Sequence, residues 1–301
     1  MKKLLFTGAH GFLGNNILPL LEQAYRVDTL GLSQEDNYPV NLAQEVPVLP
    51  TPYDMVLHAA GEVYPDPRTD AEKQRFYEVN YQGTVNLCKA LERGGGTQAL
   101  VFISTVAVYG CDDGKLIAED HPLEGKTPYG ESKIMAEKYL TQWCLQHGVV
   151  LGILRPSLIV GQHARGSLGA MVRGVRKGFY VNIGGGNARK SMLMASDIVR
   201  LLPALAQKGG VYNVCDSCHP SFAQLSASVA RQLGKRRPLS IPYWMAWCLA
   251  RLGDMAGRRA PINSYRLMKM THSLTFSNEK ARRELGWEPL DVLTNYQLQD
   301  E

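Results

Sequence analysis

Leu4-Leu5-Phe6-Thr7-Gly8-Ala9-His10-Gly11-Phe12-Leu13-Gly14 lies almost at the start of the chain, a short apolar run passing straight into G-x-x-G-x-x-G. The pattern describes a buried strand that turns sharply into a helix. Glycines there let the backbone approach a pyrophosphate closely, and the first helical turn offers free N–H groups to its charge. Gly8, Gly11 and Gly14 also fit a simple packing turn. Their place on the first strand favours the phosphate cradle.

Outward from this turn, short apolar runs alternate with helical patterns, which predicts βα units and a parallel sheet. Strands are expected at Lys3–Phe6, Arg26–Leu30, Asp54–His58, Leu100–Ser104, Val149–Arg155 and Val211–Val214, with helices starting near Gly11, Arg68, Tyr129 and Ser196. The proline-rich stretch from Gln34 to Pro52 is too short for a full helix and strand, so one unit there should be abbreviated. After Gly161 the pattern changes: Gly166–Gly178, Ser221–Leu233 and Tyr243–Leu252 are expected as helices and Gly184–Gly186 as a loop. The fold class that follows is α/β, a Rossmann-type doubly wound parallel sheet with a smaller, discontinuous, mostly α C-terminal substrate domain. Its expected parts are a dinucleotide-binding domain over 1–160, to which about 190–214 return, and a substrate-binding domain over 161–189 and 215–301.

With 301 residues and 45% apolar content the chain can bury a large core. The apolar start is interrupted by glycines and no small-residue cleavage site follows, so it reads as a strand and not as a secretion signal, and the expected compartment is the cytoplasm. The apolar stretch Ile241–Ala250 falls far short of the roughly 20 residues that span a bilayer. It reads as a buried or lid helix. With Lys235-Arg236-Arg237 before it and Arg251, Arg258 and Arg259 after it, a membrane-surface contact is the alternative. The net charge of +5 is read as scattered, which suits an anionic small molecule better than nucleic acid. Cys215-Asp-Ser-Cys218-His219 matches a haem-attachment string, but no export signal supports it, so reduced thiols on a loop are expected and no metal.

Five motifs in order carry a family resemblance: TGAHGFLG, then Asp54-Met-Val-Leu-His58-Ala59-Ala60-Gly61, Asn80-Tyr-Gln-Gly83-Thr84, Ser104-Thr105-Val-Ala-Val-Tyr109-Gly110 and Tyr129-Gly-Glu-Ser-Lys133. Together they resemble the extended short-chain dehydrogenase/reductases. Arg155-Pro156, the segment Lys190–Asp197 and Ala281–Pro289 are similar to the nucleotide-sugar reductase/epimerase branch of the NAD-dependent epimerase/dehydratase family. The resemblance implies a dinucleotide held by Gly8, His10, Gly11, Phe12, Leu13, Gly14, Ser33, His58, Ala59, Ala60, Gly61, Asn80, Ser104, Tyr129, Lys133 and Pro156, with Asn80 in a structural part. It also implies a homodimer formed through the helices Arg68–Leu91 and Tyr129–Gln146, although apolar Phe76, Val79, Leu87 and Leu91 would serve a core equally well.

The implied chemistry is hydride transfer assisted by a tyrosine. A phenol with a pKa near 10 needs a neighbouring cation to exchange its proton at neutral pH. Lys133 stands at i+4 from Tyr129, on the same helical face, and the resemblance has it also hold the nicotinamide ribose. Thr105 would hydrogen-bond the reacting substrate oxygen. The catalytic set is therefore Thr105, Tyr129 and Lys133.

An acidic residue about twenty positions past the glycine turn would select NAD. The second strand ends Leu30-Gly31-Leu32-Ser33 without one, though Glu35 and Asp36 follow closely, so the cofactor is NADP or NAD with a lean to NADP through Ser33 and His10. Lys190, beside Arg189, and Arg165 are the expected contacts to a sugar diphosphate, together with Thr105. Leu158 stands where many sugar epimerases have asparagine. The expected activity is reduction of a 4-keto nucleotide sugar. A 4-epimerase comes next, then a reductase of a lipophilic steroid-like or phenolic ketone, and last a non-catalytic dinucleotide-binding regulator.

Overall fold

A computed structural model describes residues 1–63, 67–164, 166–256 and 262–298. In chain order the strands are β1 (Lys3–Thr7), β2 (Arg26–Gly31), β3 (Tyr38–Pro39), β4 (Tyr53–His58), β5 (Thr97–Ile103), β6 (Gly114–Ile117), β7 (Val150–Pro156), β8 (Leu158–Val160), β9 (Asn182–Ile183), β10 (Met192–Met194), β11 (Gly210–Val214), β12 (Ser240–Ile241) and β13 (Leu274–Phe276). The helices are α1 (Phe12–Ala24), α2 (Asp70–Phe76), α3 (Gly83–Arg93), α4 (Pro128–His147), α5 (Gly166–Arg176), α6 (Ala195–Lys208), α7 (Phe222–Gln232), α8 (Tyr243–Ala256), α9 (Ser264–Thr271), α10 (Glu279–Leu285) and α11 (Val292–Asn295).

Seven strands form one parallel sheet in the order β11-β7-β5-β4-β1-β2-β3. The strands are apolar on both sides because both faces are covered. Leu4, Phe6, Met55, Leu57, Val101 and Leu154 pack on one face with Ile17 of α1 and Leu201 of α6. Leu5, Val56, Leu100, Phe102 and Ile153 pack on the other with Leu87 and Leu91 of α3 and Ala136 and Leu140 of α4. Alternation along β1 thus divides neighbouring residues between two cores. Phe76, Leu87 and Leu91 are themselves almost fully buried within the chain, so the core accounts for that helical periodicity.

The expected strands and helices are present, with two refinements. Between Gln34 and Pro52 the only strand is the two-residue β3, and no helix follows it. The helix from Arg68 begins at Asp70 behind a Thr69/Glu72 capping box. It is then interrupted by a π-helical turn at Tyr77–Gln82 before α3. That turn carries Asn80, and π-turns of this kind cluster at functional sites. Beyond β7, β8 pairs with β10, β9 with β12 and β6 with β13, while β11 rejoins the main sheet beside β7. Leu168, Met171, Leu225 and Val229 of α5 and α7 build a separate small core. Among the described residues no helix is long and apolar enough to cross a membrane.

Candidate active site

The strand order reverses between β1 and β4, so a crevice opens at their C-terminal ends. The glycine turn occupies it. Gly8 sits at φ +82°, and a Cβ there would lie 2.8 Å from the backbone nitrogen of Ala60 on the β4 side. A Cβ on Gly14 would lie 2.1 Å from the Ala9 carbonyl oxygen, so only glycine lets α1 approach the turn this closely. Gly11 caps α1 without any side-chain hydrogen bond, and no acidic residue stands in the first turn. The N–H groups around Phe12 and Leu13 therefore have no side chain competing for them, a donor set that fits a pyrophosphate.

At the end of β2 the fold brings in a carboxylate. Asp36 folds back so that a Cβ on Gly31 would meet its Oδ2 at 2.7 Å, and the same oxygen accepts a hydrogen bond from the Ser33 amide at 3.0 Å. Asp36 is buried, and its Oδ1 accepts no hydrogen bond. His10 Nε2 stands 3.5 Å from that oxygen, and His10 Nδ1 lies 3.6 Å from Glu35. The Ser33 hydroxyl accepts from the Glu35 amide at 3.2 Å. A buried carboxylate oxygen without a donor, next to the glycine turn, fits the hydroxyls of an adenosine ribose.

His58 closes the inner wall. The Ala60 amide donates to Thr7 Oγ1, so the Thr7 hydroxyl donates to His58 Nδ1 at 2.7 Å. Thr84 donates its proton to the Asn80 carbonyl and accepts from His58 Nε2 at 2.8 Å. Burial, reinforced by the Lys133 ammonium, pushes the imidazole down to about 3, so it stays neutral as the Nε2–H tautomer. Its side chain is fully engaged in this network, and His58, Ala59, Ala60 and Gly61 offer the crevice their backbone. Asn80 accepts from the Glu62 amide at 2.7 Å and donates to Ser132 at 2.9 Å, tying this loop to α4.

The expected proton-transfer set, Thr105, Tyr129 and Lys133, joins β5 to α4. Thr127 caps α4 by accepting from the Gly130 amide, and Pro128 occupies its first turn, which fixes where Tyr129 starts. Thr105 follows β5, and its Oγ1 accepts from the Ala107 amide at 3.1 Å, which frees its own proton for the hydrogen bond to the Tyr129 hydroxyl. Burial raises the Tyr129 phenol above its ordinary value, and the Thr105 hydrogen bond works against that rise. Lys133 is buried, and its Nζ donates to the Ile103 carbonyl at 2.9 Å and lies 4.6 Å from the centre of the Phe102 ring. Burial lowers the ammonium to about 8, while the Glu137 carboxylate supports its charge.

Glu137, absent from the expected set, continues the spacing of Tyr129 and Lys133 by one more turn. Its carboxylate accepts from Ser104 Oγ at 2.5 Å and from Arg155 Nε and Nη2 at 3.1 and 2.6 Å. Arg155 also donates to the Tyr109 hydroxyl, which in turn donates to Asn213. Ser104 therefore holds the scaffold under the site through its side chain. Y-x-x-x-K-x-x-x-E on one helical face was the available signal for Glu137.

The expected substrate contacts are more scattered. Arg165 lies outside the described residues. The Arg189 guanidinium donates to the carbonyls of Cys218 and His219. Lys190 is lowered by burial and by Lys269, with Asp112 and Asp113 opposing, and these are the charges it faces. Pro156 closes β7 against Val214, and the adjacent Ser157 hydroxyl is buried without a partner. Cys215 and Cys218 point to different partners, the Phe276 carbonyl and Asp291. Their thiols are raised to about 12 by burial and to about 11 by the Asp291 hydrogen bond, respectively.

Residues 4–215 match the family model described as the NAD dependent epimerase/dehydratase family. The chain is 29% identical over 295 residues, 92% of its own length and 88% of the other's, to N-acetyl-alpha-D-glucosaminyl-diphospho-ditrans,octacis-undecaprenol 4-epimerase of Escherichia coli O157:H7. It is 28% identical to GDP-6-deoxy-D-mannose reductase of Pseudomonas aeruginosa, covering 74% of this chain and 78% of that one. The fold is shared with UDP-glucose 4-epimerase of Thermotoga maritima, solved with UDP-glucose, at a TM-score of 0.73 and 20% identity over 98% of this chain and 96% of that one. A cradle for a dinucleotide beside a tyrosine, lysine and threonine is what an enzyme of the extended short-chain dehydrogenase/reductase type requires, and the chain belongs to the NAD dependent epimerase/dehydratase family.

Proposed function

We propose that this enzyme moves a hydride at a secondary-alcohol carbon of a nucleotide-activated sugar, C4 in view of the relatives, and that its net reaction is 4-epimerisation. The observation that carries the catalytic part is the Tyr129 phenol acted on by Thr105, one helical turn from a buried Lys133 held at the Ile103 carbonyl at the end of β5. When bound, the nicotinamide supplies the hydride acceptor and, once reduced, the donor. Tyr129 takes the proton of the sugar hydroxyl as the C–H bond of that carbon breaks. It returns the proton to the carbonyl oxygen when the bond is remade on the opposite face. Thr105 holds the same oxygen, and Lys133 supports charge on the phenol and holds the ribose.

Asp36 is the reason for placing epimerisation ahead of net reduction. Its free carboxylate oxygen would accept from the ribose hydroxyls of NAD and repel the extra phosphate of NADP. On this reading the site favours NAD, where Ser33 and His10 alone had leaned toward NADP. A cofactor regenerated in every turnover needs no reducing pool, so an NAD site suits an epimerase. Net reduction of a 4-keto sugar is the second reading, favoured by the raised Tyr129 phenol, which carries its proton ready for a carbonyl oxygen.

Incubation with UDP- and GDP-linked hexoses should interconvert 4-epimers with no net change in the absorbance of reduced nicotinamide. Stoichiometric consumption of that absorbance with a 4-keto sugar would establish the reductase instead. Asp36→Asn should weaken NAD about tenfold and shift the NAD-to-NADP affinity ratio by about a hundredfold. Calorimetric titration of both cofactors reads this, and an unchanged ratio would remove Asp36 from cofactor selection.

A further inference from the structure

α8 is built inside out. Among its described side chains Ala246, Ala250 and Gly253 are buried, the two alanines clustered with Ile183 and Leu267, whereas Trp244, Leu252 and Met255 are 66%, 63% and 86% exposed. Trp247 and Leu249 are exposed beside them. A surface helix ordinarily turns its large apolar residues inward. Here small residues face the protein and bulky ones face out.

We propose that the outward face of α8 docks on the surface of a bilayer that carries anionic headgroups. This goes beyond the catalytic reading above and does not depend on it. Fourteen residues are too few to span a bilayer, but they suit a helix lying along its interface. Charge selects the occupant. From Ser217 to Asn278 the sequence carries nine Lys or Arg and a single acid, Asp254, a local excess larger than the net +5 of the whole chain. The positive charge is thus concentrated in this region, contrary to the scattering expected from composition.

Asp254 is taken up by the amide and hydroxyl of Ser264 at the start of α9, at 3.0 and 2.5 Å. The Arg251 guanidinium lies 5.2 Å from the Trp247 ring centre and Lys269 Nζ lies 4.4 Å from that of Tyr265, both rings being exposed. Aromatic rings flanked by long cationic side chains suit the headgroup level, where the rings sit among lipid and the charges reach phosphate. Lys235, Arg236 and Arg237, exposed just ahead of β12 and α8, form no ion pair with a carboxylate among the described residues. A second copy of the chain on this face would oppose cations across a two-fold axis, which disfavours a self-interface.

The test uses the full chain with vesicles of phosphatidylglycerol and phosphatidylethanolamine, and with phosphatidylcholine vesicles as the neutral control. Trp143 and Trp287 are buried, so a change in tryptophan emission reports on Trp244 and Trp247. A blue shift and co-sedimentation with the anionic vesicles are expected, at least about tenfold stronger than with neutral ones and weakened by salt. The double substitution Trp247→Ser, Leu252→Ser should abolish binding, and Arg236→Gln with Arg237→Gln should weaken it about tenfold. Both pairs are exposed, and unchanged thermal unfolding separates lost binding from lost fold. Absence of vesicle binding by the unaltered protein, or binding that survives both pairs, overturns the proposal. So does light scattering that shows a dimer split by the Trp247/Leu252 pair without any vesicle binding, which would assign the face to a second copy.

Discussion

Tyr129→Phe is expected to lower turnover by about 10³- to 10⁴-fold while leaving dinucleotide affinity within a few-fold of its original value. The substitution removes one oxygen. The ring keeps its neighbour Phe76, 6.2 Å away between centroids, and Lys133 keeps its bond to the Ile103 carbonyl. What disappears is the phenol oxygen that, in the proposed reaction, exchanges a proton with a substrate hydroxyl. Without it, oxidation of an alcohol leaves a proton with no acceptor, and reduction of a ketone leaves an alkoxide with no donor. Steady-state turnover and a cofactor titration on the same preparation check both halves. Unchanged turnover would show that another group carries the proton.

Arg155→Ala is expected to destabilise the protein by about 3–5 kcal/mol, because it strands a buried carboxylate. Arg155 and Glu137 side chains are 6% and 5% exposed, and two parallel hydrogen bonds join them. Burial works against the Arg155 charge, and Glu137 more than offsets this, holding the guanidinium charged. With the arginine gone, only Ser104 remains to satisfy Glu137. Urea unfolding of the two proteins measures the loss.

Glu137→Gln separates support of the fold from support of the site. Lys133, lowered to about 8 by burial, is held up by Glu137. Neutralising Glu137 lowers it further, so the ammonium is lost at a lower pH. The alkaline limb of kcat/KM should move to lower pH. A limb that stays in place would confine Glu137 to the scaffold.

The strands and helices of the main sheet were legible because their signals are local: apolar runs of strand length alternating with helical patterns, and a glycine turn. Tyr129 and Lys133 were legible for the same reason, one helical turn apart. Two groups were harder to find. Asp36 lies beyond a strand that ends without an acid, and only the turn back to Gly31 brings its carboxylate to the crevice. Arg155 meets Glu137 across 18 residues, from a different strand, and composition says nothing of that pairing.

The sequence by itself determined that a parallel α/β sheet presents a glycine turn and a tyrosine–lysine pair, since period, spacing and turn chemistry act within a few residues. Only the tertiary structure decided that Asp36 reaches the cradle, that His58 serves the wall through a neutral ring and that α8 turns tryptophan outward. Those outcomes depend on which distant surfaces meet and which are left without a partner. Burial and charge pairing between remote segments set them.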